Sequence, residues 1–118
     1  MSELSQVDLS GDDVVVARIS GEIDLSNASE LGDELSAAVP NSALGLVIDL
    51  TATSYLDSSG VHLVFDLAER LGRRQQQLRV VVPEGAPVRR VLRIVDLDAT
   101  VPVLASVDEA VEQIRARA

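Results

Sequence analysis

The five residues Leu46-Val47-Ile48-Asp49-Leu50 constrain this chain more than any other stretch. Their apolar side chains do not alternate with polar ones. As a strand the segment therefore has no solvent face and belongs to the middle of a sheet covered on both sides. Val14 to Ile19 and Leu78 to Val82 are β-branched runs of similar character, and helical spacing lies between them. Strands separated by helices imply parallel pairs joined by crossovers. Val7 to Leu9 is a weaker strand; Gly11-Asp12-Asp13 turns it back onto Val14, so this first pair is expected to be antiparallel.

The helices are marked by spacing and by their ends. Asn27 and Glu30 stand at capping-box spacing ahead of a stripe of Ala28, Leu31, Leu35 and Ala38, and Pro40 lies just beyond. From about Ser58 to Leu71, Val61, Val64, Phe65, Ala68 and Leu71 share one face. Asp66 with Arg70, and Glu69 with Arg73, are acid-before-base pairs on the other. Pro87 opens a short helix carrying Val88, Val91, Leu92 and Val95. Pro102 confines Val101 to Leu104 to an edge strand. Ser106 and Glu109 form a second capping box, before Val107, Ala110, Val111 and Ile114. Ser20 to Asp24 and Thr51 to Leu56 are predicted as loops. The expected fold is one α/β domain over residues 1–118, core about 14–114, on a mixed sheet of four to five strands with about four helices.

Composition narrows the chemistry. With no cysteine, disulfides, thiolate catalysis and zinc-thiolate sites are excluded together. All ten basic residues are arginine, so a P-loop lysine, a Schiff base and a lysine general base are absent. His62 is the single histidine, which leaves no His-rich metal site, and neither metal nor cofactor is expected. A net charge of −9 opposes nucleic acid and anionic membrane surfaces alike. No apolar run reaches the roughly 18 residues of a membrane span, and Met1 to Gly11 lacks the apolar core of a secretory signal. A soluble, cytoplasmic protein is the expectation.

What chemistry remains is concentrated at Asp57-Ser58-Ser59-Gly60, where a strand region gives way to a helix. Serine and aspartate there are good N-caps, since their oxygens accept orphan backbone N–H groups. A serine at a helix N-terminus is also a favourable place for a phosphate. Both readings stand on local grounds, with Gly60 leaving the backbone uncrowded for a partner. Nucleophilic catalysis by Ser58 with His62 lacks the Gly-x-Ser-x-Gly elbow. A phosphoaspartate receiver centred on Asp57 lacks its lysine and its supporting acidic pair. Arg89, Arg90 and Arg93 form a basic spot on an acidic chain without aromatic neighbours.

Three segments together, Ile19-Ser20-Gly21-Glu22-Ile23-Asp24, Val47-Ile48-Asp49-Leu50 and Tyr55-Leu56-Asp57-Ser58-Ser59-Gly60, resemble the STAS domain of bacterial anti-sigma factor antagonists. The resemblance spans about Val14 to Ile114. It implies a partner-switching protein and not an enzyme. The unphosphorylated form would bind an anti-sigma factor that is also a serine kinase, releasing a sigma factor. Phosphorylation at Ser58 would switch binding off, and a serine phosphatase would restore it. It also implies a partner-binding face of Glu22, Asp24, Asp57, Ser58, Ser59, Gly60, Val61 and His62. Departures at His62 and at Asp96-Leu97-Asp98 motivate the alternative of a non-phosphorylated STAS interaction domain, acting as scaffold or ligand sensor.

Overall fold

The computed structural model describes residues 5–118. Strand β1 (Ser5–Ser10) turns back at Gly11-Asp12-Asp13 into β2 (Val14–Ile23), pairing antiparallel from Ser5 against Gly21 to Ser10 against Val16. Helix α1 (Ala28–Ala38) leads to β3 (Gly45–Asp49), which is followed by β4 (Thr53–Leu56) and α2 (Ser58–Arg73). Then come β5 (Gln77–Val81), α3 (Arg89–Ile94), a 3₁₀ turn at Leu97–Ala99, β6 (Val103–Leu104) and α4 (Val107–Ala116). The sheet runs β1-β2-β3-β5-β6, all pairs parallel except the first, and β4 pairs separately with β2. A Cα radius of gyration of 12.9 Å is close to the roughly 13.5 Å expected of one domain this long.

The central run behaves as its composition requires: every residue of β3 is buried. Leu46 and Ile48 point into the larger core with Val15, Ala17 and Ile19 of β2 and Leu78 and Val80 of β5, beneath α1 and α2. Val47 points the other way, joining Val14, Val16 and Val81 under Ala110 and Ile114 of α4. One helix covers one face of the sheet, and the remaining helices cover the other. Asp49, the polar member of the run, is buried at the strand's end. It accepts from the Thr51 N–H at 3.0 Å and pairs with Arg18 at 3.3 Å.

Two loops of the sequence reading are strands. β2 does not end at Ile19 but continues through Ile23, because Thr53–Leu56 lies alongside it as β4. The first half of β2 pairs with β3 and the second half with β4. Thr-Ser-Tyr-Leu is too short and too polar to read as a strand by itself. Pairing gives it a core face, with Thr53 and Leu56 buried and Ser54 and Tyr55 exposed. The sheet therefore has six strands among the described residues, β4 being the addition.

The Asn27/Glu30 capping box does not form. The Asn27 side chain makes no cap bond to α1; its Oδ1 accepts from the Asp24 N–H at 2.9 Å and its Nδ2 donates to the Glu22 carbonyl at 2.8 Å. At α4 the sequence reading holds, with the Glu109 N–H donating to Ser106 Oγ at 3.2 Å. Helix α2 buries more than its expected stripe: Leu63 and Leu67 are buried too, since α1 packs beside it. Phe65 and Ala68 are only partly buried.

Candidate functional site

The pairing of β2 with β4 brings the two halves of the sequence motif together. Glu22 stands opposite Tyr55 and Ile23 opposite Leu56, after a register shift between Gly21 and Glu22. Gly21 lies at that shift with φ +91°, a backbone angle that favours glycine. Buried Thr53 fixes the join by donating to the Ile19 carbonyl at 2.7 Å, and Ser54 Oγ donates to the Gly21 carbonyl at 3.1 Å. The Asp57 N–H then donates to the Ile23 carbonyl at 3.3 Å, placing the start of α2 at the end of β2.

Asp57 is the cap. Its Oδ1 accepts from the Ser59 N–H at 2.8 Å, and its backbone is extended. This relieves Ser58 of the capping role: it is the first helical residue, exposed, with no hydrogen bond to its hydroxyl among the described residues. The local ambiguity between cap and site is thereby divided between two adjacent residues. Asp24 organises the neighbouring loop, its Oδ1 accepting from Ser26 N–H at 2.9 Å and Ser26 Oγ at 2.6 Å. Its carbonyl accepts from the N–H of Asn27 and of Ala28, which starts α1.

Glu22, Ser58 and His62 are exposed; Asp24, Asp57 and Ser59 are partly so. Gly60 and Val61 are not surface residues. Val61 is 6% exposed and lies in the larger core. A Cβ on Gly60 would stand 2.7 Å from Leu56 Cγ and 3.2 Å from Ile23 Cγ2. The glycine thus admits the ends of β2 and β4 beneath the first turn of α2, which corrects the expectation that it clears space for a partner.

A groove of about 560 Å³ runs between α1 and α2 from this point. Ser58, His62, Asp66 and Arg70 line one wall at four-residue intervals, with Ala28, Ser29 and Gly32 opposite and Leu25 at the mouth. Arg70 closes the far end, bonded to Asp66 at 2.9 Å and to Asp33 of α1 at 3.2 Å. Leu25, which lines the groove with Ser58, is 82% exposed, and Tyr55 of β4, three residues before Ser58, is 49% exposed; the sequence alone singles out neither as a site residue. The available signals were an isolated leucine inside a polar loop and the chain's single tyrosine. The basic spot lies elsewhere: Arg89 and Arg93 both reach Glu84, at 3.5 and 3.6 Å.

The STAS domain model matches residues 1–110. The chain belongs to the STAS domain family. The anti-sigma-F factor antagonist RsfB of Mycobacterium tuberculosis is 32% identical over 102 residues, covering 86% of this chain and 82% of that protein. The putative anti-sigma factor antagonist BtrV of Bordetella bronchiseptica is 33% identical, covering 84% of each. A crystal structure of an anti-sigma factor antagonist from Mycobacterium paratuberculosis superimposes with a TM-score of 0.81 at 33% identity, covering 94% of each chain. In this STAS domain no described helix is long and apolar enough to cross a membrane.

Proposed function

We propose that this STAS domain is an anti-sigma factor antagonist whose binding is switched by phosphorylation of Ser58. The observation that carries the reading is the division of labour at the start of α2. Asp57 holds the cap, so Ser58 is left exposed, unbonded and at a backbone position that favours an anion. A phosphate there adds roughly −1.5 to −2 charges at pH 7 without removing any bond that holds the fold. A partner seated over Ser58, Leu25 and Tyr55 would have to desolvate that charge, which opposes binding strongly.

The docking face on this reading is Glu22, Asp24, Leu25, Tyr55, Ser58, Ser59 and His62, shaped from beneath by Gly60 and Val61. The protein is a binding module and not an enzyme, working in the cytoplasm on an anti-sigma factor that doubles as a serine kinase. A serine phosphatase resets it. Neither nucleic acid nor membrane takes part.

Incubation with candidate anti-sigma kinases and ATP, followed by mass-spectrometric mapping, tests the reading. Phosphate is expected on Ser58. Ser58→Ala should bind the kinase unmodified, and Ser58→Glu should bind weakly. Modification confined to other residues would overturn the assignment. A second reading, an interaction domain or ligand sensor without phosphorylation, is favoured if calorimetry finds equal partner affinity for Ser58→Glu and the unaltered chain.

A further inference from the structure

We propose that His62 is the counter-charge for a phosphate on Ser58, so that proton uptake by its imidazole and phosphorylation of Ser58 favour one another. This rests on the reading of Ser58 as the phosphorylated residue. His62 lies four residues after Ser58 on α2, and both line the same wall of the groove. In a helix, an anion four residues before a cation is the favourable order of an ion pair. Both side chains are exposed, and among the described residues neither makes a hydrogen bond or ion pair that would have to break for them to meet.

The surrounding charges leave this role to His62. On α2, Asp66 is bonded to Arg70, and Glu69 to Arg73. From α1, Asp33 is bonded to the same Arg70, while Ala28, Ser29 and Gly32 form the uncharged wall of the groove. The β2–α1 loop contributes the Asp24 carboxylate, held by Ser26; at the helix start, the Asp57 carboxylate accepts from Ser59. Among the described residues lining the groove, the two groups able to carry positive charge are thus Arg70, held by two carboxylates, and His62. An imidazole titrates near neutrality, as does the second ionisation of a phosphoserine, so each would shift the other where both are changing. The sign follows from charge. The phosphate dianion favours imidazolium and raises its midpoint, and the imidazolium favours the dianion and lowers the phosphate's midpoint. The charge presented by the phosphorylated face then falls in magnitude as pH drops below the imidazole midpoint.

The test uses the full chain with phosphoserine placed at position 58 during synthesis, so that it needs no kinase. As the single histidine, His62 gives one imidazole titration by NMR. Its midpoint is expected a few tenths of a pH unit higher in the phosphorylated chain than in the unmodified one, roughly a twofold change in proton affinity. By linkage, the phosphorus resonance should titrate at higher pH in His62→Gln than in the histidine-containing phosphoprotein. Both differences should shrink in high salt. Coincident imidazole midpoints would overturn the proposal, as would a phosphorus titration indifferent to His62→Gln. So would an Asp66→Asn variant whose imidazole no longer responds to the phosphate. A kinase that ignores Ser58 would overturn the proposed function but leave this coupling measurable, so the two failures are distinguishable.

Discussion

Replacing Gly60 with alanine tests whether the motif's glycine serves packing. The added methyl would stand 2.7 Å from Leu56 Cγ, 3.0 Å from its Cδ1 and 3.2 Å from Ile23 Cγ2. Leu56 is 3% exposed and Ile23 1%, so neither side chain can yield into solvent. Overpacking of this kind costs about 1–3 kcal/mol. Alanine recovers up to about 1 kcal/mol of helix propensity, and Gly72→Ala measures that recovery because nothing lies within 4 Å of a Cβ there. Both glycines are in α2, so the difference between the two variants isolates the clash at about 1–3 kcal/mol. Urea unfolding at a constant m-value is the assay. Gly72→Ala should be at least as stable as the unaltered chain, and Gly60→Ala less stable than Gly72→Ala. The double variant Leu56→Ala/Gly60→Ala should lose less than the sum of its parts, since the first change removes the atoms struck by the second. Equal stability of the two glycine variants would refute the packing argument and return Gly60 to the list of candidate contact residues.

Asp57→Ala should cost about 0.5–2 kcal/mol in the same assay, and Asp57→Asn much less, because an amide oxygen can still accept from Ser59. Thr53→Val should destabilise by about 1–3 kcal/mol, leaving the Ile19 carbonyl buried without its donor, and amide exchange should rise along β4 first. Leu25→Asp should weaken partner binding while leaving thermal stability nearly unchanged, since that side chain is 82% exposed; Tyr55→Ser, at 49% exposed, should weaken binding at some cost in stability. Asp13 has its carboxyl held below the usual 3.8, chiefly by hydrogen bonding to Arg115, which reaches it from α4 at 2.7 Å. Because the folded value is the lower one, this pair stabilises above pH 3.8 and its contribution fades as pH falls through the folded value. Melting curves of Arg115→Gln should therefore fall below those of the unaltered chain at neutral pH and converge with them in acid.

The sequence by itself determined the arrangement of layers. An unbroken apolar run at Leu46 to Leu50 must be covered on both sides, and helical stripes between strands supply the covers. It also pointed to Ser58, because a chain without cysteine or lysine has few other places for chemistry. The antiparallel β1–β2 turn and the Ser106 cap were legible because each is decided by residues adjacent in sequence. What only the tertiary structure decided are pairings between distant residues. β4 is a strand because β2 runs beside it, and Asn27 ties the β2–α1 loop because the Glu22 carbonyl is within reach. Gly60 and Val61 lie inward because Leu56 and Ile23 pass beneath α2. The same β2–β4 contact joins two motif halves roughly thirty-five residues apart, and the groove between α1 and α2 brings Leu25 and His62 to Ser58. Local propensity can mark a serine at a helix start. Whether that serine is the cap or the exposed site depends on which neighbouring oxygen reaches the free N–H, and here that is Asp57.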